Sequence, residues 1–185
     1  MTDFLVLHAL AVKGFASVGA VGRFARLDET VVADALGRAE TDGHAAFRDG
    51  RISAWALTAA GRARHRDLLA AERERVDRVR VLRSYEWFLP LDAAFKRLCT
   101  TWQQDGRSAE LLDDLGRLHA GAVAALDDAA AELPRLAAYP DRLGVVLARV
   151  VTGDDTALAR PLTESFHDVW MELHEDLLRT LDLER

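Results

Sequence analysis

Apolar residues recur at three- and four-residue intervals through residues 3–42, in three short segments. In DFLVLHALAVK (residues 3–13), Phe4, Leu5, His8, Ala9 and Val12 share one helical face, and Gly14 closes the segment. Ser17 to Phe24 reads as a second short helix. Asp28 stands as the N-cap of a third, ETVVADALGRAETD, which Gly43 ends. Its inner face holds Val32, Leu36 (or Ala35) and Ala39.

The pattern then turns strand-like. Phe47, Ile52 and Trp55 flank Asp49-Gly50, which predicts a hairpin with strands over 44–48 and 51–57 and a two-residue turn. A two-stranded ribbon is not stable alone, so it must pack on the helices, with Trp55 and Leu57 as anchors. Thr58 caps a long helix running to about Leu89, with a bend near Ser84. Pro90 is placed at the first turn of a new helix, where Leu91, Phe95, Leu98 and Trp102 repeat. Residues 103–108 read as a linker ending in Ser108 as N-cap. Leu111, Leu115, Leu118, Ala122, Leu126, Ala129 and Leu133 then make one continuous stripe. Pro134 and Pro140 interrupt the chain around Tyr139. Leu143, Leu147 and Val150 face inward from a shorter helix that stops at Gly153. A last helix, begun near Pro161, carries Phe166, Trp170, Leu173, Leu177 and Leu181. The whole predicts a mainly α fold with one small hairpin.

Composition changes this picture little. Half of the 185 residues are hydrophobic and 29% are charged, as in ordinary soluble globular proteins. Cys99 is the single cysteine, so no internal disulfide can form. No stretch is apolar enough to cross a membrane, and a cytoplasmic protein without membrane contact is expected. Charge is uneven. Residues 1–70 carry nine basic and eight acidic side chains, whereas the remaining 15 basic and 22 acidic side chains lie in 71–185. A nucleic-acid contact therefore belongs to the first part.

Three short helices followed by a hairpin is the order of a winged helix-turn-helix. In that module the third helix enters the major groove and the hairpin tip touches the flanking backbone. DALGRAETDGHAAFRDGRISAWALTAAGRARH resembles the recognition helix, wing and following helix of bacterial MarR-like regulators. Gly43, Arg51, Leu57, Thr58, Gly61 and Arg62 fall on their pattern, and the resemblance covers about residues 3–70. It implies double-stranded DNA as partner, with Arg23, Arg26, Thr30, Arg38, Arg48 and Arg51 as contact residues. One departure stands out. The outer face of the third helix shows Glu29, Thr30, Ala33, Asp34 and Gly37, and two carboxylates repel a polyanion.

Other constellations carry less. Glu164 and His167 have the Glu-x-x-His spacing of di-metal bundles, but no second such pair exists, so a polar helix face is the reading. Trp87, Phe95, Trp102, Phe166 and Trp170 are core residues or line an apolar effector pocket, with His119 and His167 as polar contacts. ERERVDRVRVLR (residues 72–83) alternates signs and suits a solvated helix face. The chain has two lysines, Lys13 and Lys96, and no phosphate-loop, dinucleotide or nucleophile-elbow motif. No catalytic residue, metal ligand or cofactor is assigned.

The sequence thus predicts a winged-helix domain at 1–66 and an all-helical dimerisation or effector domain at 67–185. The leading reading is a homodimeric transcriptional regulator. A small apolar effector would change the angle between its wings, so that half-site spacing no longer fits the duplex. The alternatives are a winged helix used for protein interaction without DNA binding, and a small helical enzyme or metal-binding protein built around His167, His174 and nearby carboxylates.

Overall fold

Five residues in a row, Val6, Leu7, His8, Ala9 and Leu10, are buried in the first helix, α1 (Thr2–Lys13). A helix apolar on every side belongs in the middle of a core. In the computed structural model, which describes residues 1–50 and 53–183, α1 is surrounded accordingly. The helices α2 (Val18–Ala25), α3 (Glu29–Thr41) and α4 (Ala59–Arg73) all pack on it, as does one strand of a two-stranded antiparallel sheet, β1 (Ala45–Arg48) and β2 (Ala54–Leu57). The strand in contact is β2. Of the expected α1 face, His8 and Ala9 are buried, while Phe4, Leu5 and Val12 are half-buried.

Local chemistry explains each boundary. The Ser17 side chain accepts from Ala20 N and caps α2. That helix ends on Arg26 in the left-handed region (φ 56°), with Leu27 N donating back to Gly22 O at 3.0 Å. A Cβ on Gly22 would stand 2.9 Å from Leu27 O, so the turn into α3 closes tightly only over glycine. Asp28 is the N-cap position of α3 by backbone, though its side chain makes no cap bond. Val32, Ala35, Leu36 and Ala39 are the buried face of α3, as their spacing predicts.

The hairpin is real but its tip is wider than predicted. Ala45 pairs with Leu57 and Arg48 with Ala54, a register that a turn of Asp49-Gly50 alone does not allow. Ser53 Oγ donates to Asp49 Oδ1 at 2.6 Å across this loop. Arg51 and Ile52 lie outside the described residues. A third segment joins the ribbon: Ala16 and Trp55 exchange two backbone hydrogen bonds of 2.9 Å each. Leu57 is buried, whereas Trp55 is half-buried and meets Phe47 edge-on, with ring centroids 5.5 Å apart.

The chain divides into two compact units, Met1–Val76 and Asp77–Arg185. The helix predicted from Thr58 to Leu89 does not exist as one piece. It stops at Arg73, and Asp77 caps a new helix, α5 (Arg78–Asp105), by accepting from Val79 N and Arg80 N. The expected domain boundary after residue 66 falls inside α4. Pro90 does not start a helix either; it lies inside α5. The buried stripe Val81, Ser84, Phe88, Asp92, Phe95 and Leu98 runs through it without a change of phase, and packing outweighs the local proline penalty of about 3 kcal/mol.

Helix α6 (Ala109–Glu132) runs antiparallel to α5, with Ser84 Oγ accepting from Ala129 N and Leu91 lying against Gly121. All seven residues of its predicted stripe are buried. A 3-10 turn (Pro134–Ala137) leads into α7 (Ala138–Val151), with Pro140 in its first turn, and a short α8 (Thr156–Ala159) follows. On α7, Leu143 and Val150 are buried and Leu147 half-buried. The last helix, α9, spans Phe166–Leu181 and does not begin near Pro161. Leu162 and Glu164 have φ of 63° and 53°, which no right-handed helix allows. A reciprocal capping box between Ser165 and Asp168 sets the start instead. No described helix is long and apolar enough to cross a membrane.

Candidate functional site

The outer side of α3 is exposed along its whole length: Glu29, Thr30, Val31, Ala33, Asp34, Gly37, Arg38, Glu40 and Thr41 all face solvent. Arg23, Arg26 and Arg48 are exposed as well. A shallow groove of about 440 Å³ brings Arg23 and Arg26 together with Glu29 and Val31, floored by Gly19 and Gly22. Arg48 lies apart from this groove, at the tip end of β1. The Arg51 contact expected beside it lies outside the described residues.

Arg38 is the single basic residue of α3. Its Nη2 donates to Asp3 Oδ1 of α1 at 2.8 Å, and both side chains are more than half exposed. This bond, with weaker help from Asp34 and Asp42, holds the guanidinium above its ordinary pKa. The outer surface of α3 is thus mixed in charge, and its single cation is already paired with Asp3.

Of the residues that carry the MarR-like resemblance, Gly43, Thr58, Gly61 and Arg62 hold the ribbon against α4. Thr58 Oγ1 accepts from Gly61 N at 3.0 Å as the cap of α4 and donates to Gly43 O at 2.6 Å. Gly43 has φ 73°, which suits glycine. A Cβ on Gly61 would stand 1.7 Å from the His44 carbonyl oxygen. Arg62 Nη1 donates to Leu57 O at 3.0 Å. Behind them, His8 Nδ1 and His65 Nε2 are hydrogen-bonded at 2.9 Å, both buried, and tie α1 to α4. This part of the motif reports a fold, not a ligand.

In the second unit, the proposed pocket residues separate. Phe95, Phe166 and Trp170 are each at most 1% exposed and pack on one another with centroids 4.8 to 5.8 Å apart. His167 lies beside Phe95, 6.1 Å away. These rings fill the core. Trp87 is 59% exposed and Trp102 half-buried. His119 on α6 bonds through Nε2 to Pro140 O of α7 at 3.0 Å. Glu164 precedes α9, so Glu164 and His167 do not share a helical face. Among the described residues no group of three or more His, Cys, Asp or Glu could hold a metal ion. Burial pushes the Cys99 thiol up to about 11, which makes it a poor nucleophile.

Two polar assemblies that the sequence reading missed lie in this core. Asp176, fully buried, accepts from Arg135 Nη2 at 3.0 Å, from Tyr139 OH at 3.1 Å and from Thr180 Oγ1 at 3.3 Å. Next to it Arg142 Nη2 pairs with Glu172 Oε2 at 2.6 Å. Separately, buried Asp92 accepts from Trp170 Nε1 at 3.1 Å, pairs with Lys96 Nζ at 2.6 Å, and has His174 Nδ1 at 3.5 Å. The available signal was the four-residue spacing of Glu172, Asp176 and Thr180, which puts all three on one row of α9, a helix whose other polar residues are His167, Asp168, His174, Glu175 and Arg179.

Burial, and then the Asp176 and Glu172 charges, raise the Tyr139 hydroxyl well above its ordinary value. An unfolded chain releases that proton near pH ~10, while the fold retains it. The contribution of Tyr139 is therefore complete below pH ~10 and is lost as pH rises beyond it. Denaturant titrations of the wild type at alkaline pH should show this decline, and Tyr139→Phe should flatten it; an identical decline in both proteins would assign it to other groups. No family model matches the chain, and no curated protein or solved structure matches it at a significant level.

Proposed function

We propose that Met1–Val76 is a winged-helix DNA-binding module and that the chain is a transcriptional regulator, with the helical second unit serving dimerisation or effector sensing. The observation that carries this reading is the uncovered outer face of α3 beside a ribbon held in place by Ala16. A helix packed by only Val32, Ala35, Leu36 and Ala39 leaves the rest of its surface for a groove. Arg23 and Arg26 at the α2–α3 turn and Arg48 on the ribbon are exposed where a duplex backbone would pass. Phosphate contact by these arginines supplies most of the affinity, and α3 supplies little base readout because it offers Thr30 and Arg38 among several carboxylates.

A second reading is a winged helix turned to protein contact. The exposed acids Glu29, Asp34 and Glu40, and the Arg38–Asp3 pair, favour it. Fluorescence anisotropy with duplex from the region upstream of the coding sequence separates the two. A DNA reader binds at about 50 mM salt and loses affinity steeply towards about 200 mM. Arg48→Ala should weaken binding roughly five- to tenfold and reduce the salt slope by about one, with stability unchanged. Absence of binding at the lower salt would favour the protein-contact reading.

A further inference from the structure

We propose that Asp3 limits DNA affinity by pairing with Arg38, so that a phosphate must compete with the Asp3 carboxylate for this arginine; the inference rests on the DNA-binding reading above. Arg38 is the lone cation of α3 and lies on its exposed side, one turn from the C-terminus. Asp3 reaches it from the first turn of a different helix, 35 residues away in sequence, with Nη2 and Oδ1 2.8 Å apart. Asp34 and Asp42 stand four residues to either side of Arg38, so the arginine is set among three carboxylates. A phosphate arriving there meets local negative charge and a guanidinium already paired through Nη2.

An acid and a base also lie close together near the other end of α3. Glu29 Oε1 and Arg23 Nη1 come within 2.8 and 3.3 Å of the point where a Gly19 Cβ would stand, in space that the missing side chain leaves open. At both ends the fold places a carboxylate beside the arginine a duplex would need. Such a surface binds weakly and releases few counterions.

The contact is solvent-exposed, so its effect is modest: Asp3→Asn should tighten binding roughly two- to fivefold at low salt. The salt slope should steepen by up to about one, since Arg38 then releases a counterion of its own. The gain should vanish in the Asp3→Asn/Arg38→Ala double variant. If Asp3 only staples α1 to α3, Asp3→Asn binds no better than wild type and melts lower, and the inference is wrong. If neither wild type nor Asp3→Asn binds duplex at about 50 mM salt, the DNA-binding reading itself fails and takes this inference with it.

Discussion

Gly61→Ala is expected to destabilise Met1–Val76 by about 3–5 kcal/mol, the largest effect of any glycine-to-alanine change in this unit. The new Cβ would overlap the His44 carbonyl oxygen at 1.7 Å, a backbone atom that cannot rotate away. Overpacking alone costs about 1–3 kcal/mol. Here α4 must also move off the ribbon, which breaks Thr58 N to His44 O (3.0 Å) and Thr58 Oγ1 to Gly43 O (2.6 Å), each worth about 1 kcal/mol. Hydrogen exchange should accelerate across residues 43–62. Gly37→Ala is the control: nothing lies within 4 Å of its Cβ position, and alanine in mid-helix should stabilise by about 0.5–1 kcal/mol. Equal stability of the two variants would contradict the close approach at His44.

Asp176→Ala should cost the second unit about 3–5 kcal/mol, because it removes the carboxylate paired with the Arg135 guanidinium, which is 4% exposed. Thr180 and Tyr139 lose a hydrogen-bond partner at the same time. The pair itself contributes far less than its rupture costs, since two ions had to leave water to form it. Arg135→Met with Asp176→Leu should therefore be more stable than Asp176→Ala alone. Chemical denaturation of the three proteins decides it. A double variant at least as damaged as the single would mean that the ions stabilise this core outright.

What the sequence revealed follows from the range of the interactions involved. The α6 stripe from Leu111 to Leu133 was legible because helical periodicity is local and every position in it is apolar. Caps were legible where a side chain signals them, as at Ser17, Thr58 and Ser108. Asp77 and Ser165 carry the same signal, but Arg-rich and Pro-containing neighbours drew the helix boundaries elsewhere. Pro90 misled because its local penalty is real and is overruled by a stripe visible only once Asp92 is known to be buried. Ala16 was invisible as a strand partner: one alanine pairing once leaves no pattern. The Arg135–Asp176 pair spans 41 residues, and nothing local marks an arginine for burial. At the candidate interface the arginines and the acidic character of α3 were read directly, whereas the Asp3–Arg38 bond needed the packing of α1 on α3.

Two compact units divided at Val76 and Asp77 also shape what heating this chain will look like. Each unit has its own core, so each has its own enthalpy and its own midpoint. The van't Hoff enthalpy of a scan should fall short of the calorimetric one, and a lone melting temperature would describe neither half.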